Sequence, residues 1–509
     1  MVSAFAGFAA WLDARSPRRR TIASLGLVVL VFMVAGWSSL TGLGDSRAYD
    51  SAAFKEYAET LRQTGRLPTE AENYEYSLPP GYPLLGASVD RLVGRLAFDA
   101  GTPLGGLPSP VRRGVWIALC VIALLTLTLV ERRRSRWWVA GSAAAALATV
   151  WAAASLITYV HEQPWSAKAL LNLTLAGALV IVSGLFAREA WPGRIYAPAL
   201  AAGAAALLPA VLRIGLVFHP DPLFALLGSA AVLLVLGARR AGWHAHLGLA
   251  VGATLGVSAL VRQSAPILIV AVGAIVLVLG RRRAATFAVV ALAATLLVAA
   301  PWWGYQASRF ANPIQSNLER EGYMLDRQPL SFFVSLPLPE LVTRPYRESF
   351  RNELLPKFHA ELWSDWFGVH HDWVSPSNLD RLLASSQSVL GLGGDALVLG
   401  GLLGFGVPAL RRASRHPGVR REDAALAACT ILFALAWAAY IVTLVRFPQI
   451  DGDPIQAHYL LFLVPAAALF AVASGRWAWH HSRPARLVLV SWLALYLVSY
   501  GVVIATSFG

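Results

Sequence analysis

At 509 residues, with 56% hydrophobic side chains against 14% charged ones and a mean hydropathy of +0.55, the chain is too apolar for a water-soluble globular domain. Its formal charge of +14 does not mark a nucleic-acid partner, because the arginines sit in short runs between apolar stretches rather than along one polar face. Cys120 and Cys429 both fall inside apolar segments, which argues against a disulfide framework or a cysteine metal site.

In hydrocarbon every backbone polar group must be satisfied within its own segment, so apolar stretches of about 17 to 22 residues are read as helices. Thirteen result: 21–40, 112–130, 137–159, 167–186, 196–217, 222–238, 246–260, 264–280, 284–301, 389–410, 424–445, 458–474 and 486–505. The fold class is therefore an all-α polytopic membrane protein with about 13 transmembrane helices. The basic stretch Arg15 to Arg20 has no cleavable leader pattern after it, so 21–40 reads as a retained first helix with a cytoplasmic N-terminus. Alternate connections are then basic: Arg18 to Arg20, Glu131 to Arg136, Arg188 to Arg194, Arg239 to His246, Arg281 to Arg283, Arg411 to Arg421 and Arg476 to Arg486. The positive-inside rule puts these in the cytoplasm of a cell inner membrane and the remaining connections outside.

Two outward connections are long. In 41–110, Phe54, Tyr57, Ala58 and Leu61 follow Asp50 at helical spacing and end at Gly65, which predicts an amphipathic helix lying on the membrane. A second begins at Pro79-Pro80 with Tyr82, Leu85, Val89, Leu92 and Leu96, and its Asp90, Arg91 and Arg95 place it at the interface too. The loop 302–388, mixed in polarity and rich in Pro and aromatics, predicts a small extracytoplasmic helical cap.

The candidate chemistry lies on these outward turns. Asp45, in Gly44-Asp45-Ser46-Arg47-Ala48-Tyr49-Asp50, is placed to accept a proton at the membrane surface, although Asp45 or Asp50 serves equally as a helix cap. His219-Pro220-Asp221-Pro222 offers an imidazole and a carboxylate to a phosphate, a metal or an acceptor, and a plain helix cap accounts for it nearly as well. His161-Glu162-Gln163-Pro164-Trp165 is a similar turn. Neither His-acid pair has zinc spacing, and one pair cannot complete a first shell. Arg262 interrupts a long apolar stretch at the outward tip of two short helices, a position suited to bidentate phosphate capture or to snorkelling. Leu362 to Trp373 is dense in aromatics and reads as an interfacial belt before a sugar platform. Asp451-Gly452-Asp453 falls short of a cation-loop signature.

In this order the pieces resemble the GT-C superfamily of integral-membrane glycosyltransferases, in particular its protein O-mannosyltransferase and aminoarabinose transferase-like branch. The resemblance rests on Asp45 with Tyr49, on Tyr76 to Leu85 around Pro79-Pro80-Gly81-Tyr82-Pro83, on His219 to Leu223, on Ala259 to Ala265, on Pro301-Trp302-Trp303 and on His458-Tyr459-Leu460-Leu461. It implies a catalytic transmembrane module over 1–301, a cap over 302–388 and C-terminal helices over 389–509. It further implies inverting transfer of a monosaccharide from a polyprenyl-phosphate donor to an extracytoplasmic hydroxyl on a lipid, glycan or protein acceptor, within membrane lipid. In that scheme Asp45 is the general base and Asp221 a second catalytic residue, which with Glu162 orients the acceptor or holds an ion. Arg262 and His219 hold the donor phosphate, while Tyr49, Tyr82, His161, Glu162 and His458 support the acceptor side. Metal use stays open, with magnesium or manganese as the candidates. His458 stands where the family usually has Arg, and Asp45-Ser46 where it often has two acids. The alternative is a polytopic transporter or lipid flippase, which would need polar groups at mid-membrane on broken helices.

Overall fold

The computed structural model describes residues 17–40, 50–99, 165–315, 324–346, 349–350, 352–366, 368, 377–416, 418–449 and 455–506. These are helical throughout apart from turns and one isolated bridge between Met324 and Gln449. In chain order the helices are α1 Pro17–Leu40, α2 Ser51–Thr64, α3 Gly81–Asp99, α4 Trp165–Ala190, α5 Ala197–Ala206, α6 Pro209–Gly215, α7 Asp221–Ala241, α8 Ala245–Val261 and α9 Ala265–Gly280. Then follow α10 Ala285–Phe310, α11 Leu330–Val334, α12 Leu338–Thr343, α13 Leu354–Trp363, α14 Asn378–Gly401, α15 Val407–Arg415, α16 Arg421–Arg446, α17 Val464–His481 and α18 Arg483–Thr506. Single 3-10 stretches, Arg281–Ala284 and Ala457–Leu463, precede α10 and α17, and a π turn, Leu402–Gly406, joins α14 to α15.

Among the described residues, seven stretches are long and apolar enough to cross a membrane, eight if the bent pair α5 and α6 counts as one, and two further apolar helices are shorter. Eleven of the thirteen expected spans coincide with these helical stretches. The spans 112–130 and 137–159 lie outside the described residues, so the total of thirteen is not established.

Successive helices alternate in direction. Gly248, Gly252 and Gly256 of α8 meet the Phe287, Ala291 and Thr295 carbonyls of α10, so these two run parallel, and α9, which links them in sequence, returns to end beside Trp243. Such close backbone approach is what small residues permit between membrane helices. A Cβ on Gly252 would collide with the Ala291 carbonyl oxygen. Gly252→Val is therefore expected to destabilise the fold by about 1–3 kcal/mol through overpacking, read as lost monodisperse yield and a lower melting temperature in detergent.

Alternation gathers the basic connections at one end. Arg240 pairs with Glu189 at 3.1 Å and Arg412 with Asp423 at 2.7 Å. Arg239 and Arg281 donate to the Val419 and Ser414 carbonyls, and Arg476 lies 4.5 Å over the Trp191 ring. The buried charged groups of the candidate site lie at the opposite end.

Three expectations need correction. The stretch 196–217 is not one continuous helix: it breaks at Leu208-Pro209 with a 66° bend, because Pro209 cannot continue the hydrogen-bond ladder. Helix α2 runs from Ser51 to Thr64, closed by Gly65 in the left-handed region at φ 71°, but its apolar face does not lie on lipid. Phe54 meets the His219 ring edge-on at 5.1 Å, and the Tyr57 hydroxyl donates to the Leu78 carbonyl at 3.2 Å. Nor does the charge on α3 hold it at the interface, since Asp90 is buried against Lys168 of α4 at 2.6 Å.

Candidate functional site

The site begins at the turn after the broken helix. In His219-Pro220-Asp221-Pro222 the two prolines preset φ and give up their N–H groups at the start of α7, which places Asp221 at the helix N-terminus, where a carboxylate is favoured. Asn172 of α4 fixes this turn from behind: its amide donates to the Ile214, Val217 and His219 carbonyls and its oxygen accepts the Tyr82 hydroxyl. Tyr82 also stacks on Phe218 at 4.6 Å, so it braces the turn rather than facing a substrate.

Arg262 caps α8 in extended conformation, donating its own N–H to the Ser258 carbonyl at 3.0 Å. Its Nε is 2.9 Å from Asp221 Oδ1, and its guanidinium lies 4.7 Å from the centre of the Tyr459 ring. The other carboxylate oxygen, Oδ2, faces two imidazoles, with His219 Nδ1 at 3.3 Å and His458 Nε2 at 3.6 Å. The two rings meet edge-to-face at 4.9 Å. Thus Asp221, Arg262, His219 and His458, drawn from four separate connections, converge on one cluster. The Arg262 side chain is 13% accessible against at most 2% for the others, so Arg262 forms the open edge of the cluster.

Behind His458 stands Glu361 of α13, not anticipated from sequence. Its Oε1 lies 2.7 Å from His458 Nδ1, and its Oε2 accepts the Ala457 N–H. A carboxylate there makes Nδ1 the donor and turns Nε2 towards Asp221. Arg213, carried inward by the broken helix, donates to the Glu361 carbonyl and pairs with Asp365 at 3.8 Å. Glu75 is buried nearby, and its carboxylate and that of Asp50 stand within the field of Arg262. Asp50 makes no side-chain cap to α2; its Oδ1 takes the Tyr74 hydroxyl at 2.7 Å.

The donor atoms of His219, Asp221 and His458 all lie within 4.8 Å of one another, the geometry of a metal-binding group. The Asp221 N–H donates to His219 Nδ1 at 3.5 Å, and Glu361 takes the proton of His458 Nδ1, so both ring nitrogens facing Oδ2 are turned as acceptors. Arg262 Nη2 supplies one donor to Oδ2 at 3.5 Å, and a proton on His458 or a cation among the three would supply a further positive partner. The spacings of 3.3 and 3.6 Å fit the ~3.4 Å between donors that each lie about 2.0–2.1 Å from a tetrahedral ion.

Burial drives the His219 imidazole down to about 4, so the ring is neutral near pH 7. The folded state resists protonating it, so its contribution to stability is complete above about 6.5 and fades as the pH falls towards about 4. The melting temperature is expected to drop across that window, and His219→Gln to flatten the drop.

Asp45, Tyr49, His161 and Glu162 lie outside the described residues, as does Asp451-Gly452-Asp453. In the described part of 362–373 the aromatic-belt reading fails. Trp363 is buried and donates to Asp395 at 2.7 Å, and Trp366 is buried with the Lys357 ammonium 4.3 Å over its ring. Trp363 packs the cap onto the bundle against Tyr496 at 5.8 Å, and Trp366 lies within the cap beside Leu341 and Phe350.

Fold and site together define a helical bundle of membrane-spanning composition with a buried carboxylate, guanidinium and imidazole cluster at the end away from its arginines. No family model and no curated protein matches the chain. The solved structures similar to it include two of known name. The oligosaccharyltransferase AglB from Archaeoglobus fulgidus, in complex with an inhibitory peptide and a dolichol-phosphate, is 15% identical with a TM-score of 0.45, over 95% of this chain and 56% of that one. ArnT from Cupriavidus metallidurans, bound to undecaprenyl phosphate, is 16% identical with a TM-score of 0.37, over 89% and 78%. The chain thus spans little more than half the length of the first.

Proposed function

We propose that this chain is an integral-membrane glycosyltransferase of GT-C type, moving a monosaccharide from a polyprenyl-phosphate donor to an acceptor hydroxyl on the extracytoplasmic side. The observation that carries the reading is the Asp221 carboxylate held between Arg262 and two imidazoles, with Arg262 as the accessible edge. A phosphodiester leaves without needing a proton, so the chemistry chiefly requires positive charge at the departing oxygens. Arg262 supplies it, and Asp221, His219 and Tyr459 fix the guanidinium's direction. The acceptor oxygen attacks the anomeric carbon, the bond from that carbon to the phosphate oxygen breaks, and the hydroxyl proton passes to Asp45. The product sugar is inverted and polyprenyl phosphate is released.

Among the described residues the carboxylates Asp221, Glu361, Glu75, Asp50 and Asp365 outnumber the two arginines here, Arg262 and Arg213. That excess, with two imidazoles and a carboxylate as donors, suits a divalent cation at His219, Asp221 and His458. Nitrogen donors favour manganese or zinc over magnesium. Such an ion would supply further charge for the phosphate; Glu361 orients the His458 ring that faces it. Incubation with a chelator is expected to lower turnover at least 10-fold, with manganese or zinc restoring it, and chelator-insensitive turnover would remove the cation from the proposal.

The transporter reading is disfavoured because the cluster lies at one end of the bundle rather than midway. The direct test is a screen of polyprenyl-phosphate sugars with the purified protein in lipid, scoring release of polyprenyl phosphate. Release with none of them, alongside coupled movement of a solute, would reverse the assignment.

A further inference from the structure

A cavity of about 1540 Å³, separate from the Asp221 cluster, runs between α5, α14, α17 and α18. Its wall along α17 extends from Leu460, in the preceding 3-10 stretch, to His480. At 1.5 Å per helical residue that exceeds the acyl depth of one leaflet, ~15 Å. The lining is almost wholly aliphatic and aromatic except at its two ends. At the site end, the polar groups of His359 and Asp395 satisfy each other at 2.6 Å, and Trp363 takes the second carboxylate oxygen at 2.7 Å. The opposite mouth lies at the arginine-rich end and is different in kind. Arg194, Arg476 and His480 line it beside Tyr196 and Trp479, and Arg476 is stacked on Trp191.

Among the described residues, neither Arg194 nor Arg476 lies within ion-pair distance of a carboxylate, whereas Arg240 and Arg412 at the same end each have one. Glu422 acts on Arg476 only from beyond ion-pair distance. Two guanidiniums with no ion-pair partner among the described residues, at the mouth of an apolar cavity and at the level of Trp and Tyr side chains, form the complement of a headgroup phosphate with acyl chains beneath it. We infer that this cavity is a binding site for an anionic glycerophospholipid of the leaflet at the arginine-rich end, its phosphate between Arg194 and Arg476 and its chains against α17 and α18. The site is independent of the transfer reaction and does not rest on it.

Native mass spectrometry of the full chain in mild detergent, titrated with phosphatidylglycerol, phosphatidylcholine and undecaprenyl phosphate in parallel, tests the inference. The wild type is expected to prefer phosphatidylglycerol over phosphatidylcholine by at least 10-fold. In R194Q/R476Q that preference is expected to fall about 10- to 30-fold, the loss from two cation contacts. Leu397→Trp, which fills the cavity wall and keeps both arginines, should reduce phosphatidylglycerol binding while leaving the protein monodisperse. Equal retention of the two phospholipids by wild type, unchanged preference in the double variant, or a larger loss of undecaprenyl phosphate than of phosphatidylglycerol on R194Q/R476Q each overturns it.

Discussion

Asp221→Asn is expected to cut turnover by about 10³-fold or more while the chain still folds. The substitution keeps the shape of the side chain and removes only its charge. Two consequences follow from the geometry. Arg262 loses the partner 2.9 Å from its Nε, so the guanidinium is no longer held towards the donor. The oxygen facing His219 and His458 becomes either an amide donor or a weaker acceptor, which disrupts the donor set for a cation. Fixed charge at the leaving group is commonly the largest single contribution to such a reaction, and removing one contact to it lowers rates 10²- to 10³-fold. Breaking one partner of a buried ion pair also destabilises, by about 3–5 kcal/mol in the interior, so melting is measured alongside and Asp221→Glu serves as a charge-retaining control. The contrasting variant is Asp45→Asn, expected to abolish transfer with expression and donor binding intact, since a base acts on the acceptor and not on the phosphate. If Asp221→Asn turns over within 10-fold of wild type, the cluster is not the reaction centre.

Hydropathy makes most of the helical architecture legible because hydrocarbon forces each apolar run to satisfy its own backbone, and the alternating arginines then fix which ends lie together. Arg262 was visible for the same reason: a charge that interrupts 246–280 has no place in lipid unless something receives it. Glu361 was not visible. It meets His458 across 97 residues of sequence, from a loop whose polar composition says nothing about which acid turns inward. Arg213 left a signal that was passed over, since Pro209 followed by a charge inside an apolar run marks a broken helix built around a polar site. The aromatics at 363–366 misled because Trp serves an interface and a buried hydrogen bond equally well, and only the Asp395 carboxylate, 32 residues away, decides between them.

Arg262→Ala is expected to raise the donor KM about 10²-fold, with a smaller effect on the KM for acceptor. Charged hydrogen bonds contribute roughly 1.5–3 kcal/mol each, and a guanidinium presenting two N–H groups to one phosphate therefore accounts for a loss of this size. Arg262→Lys separates charge from geometry: the ammonium retains the sign but not the planar fork, so it should recover only part of the affinity. An unchanged donor dependence in both variants would remove Arg262 from phosphate capture. The two cation sources are also distinguishable here. With the guanidinium gone, Asp221 remains buried and lacks its nearest positive partner, so a divalent ion at His219, Asp221 and His458 would become the chief compensating charge. Turnover of Arg262→Ala should therefore respond more steeply to added manganese or zinc than wild type does. A flat response would mean that arginine alone neutralises this carboxylate.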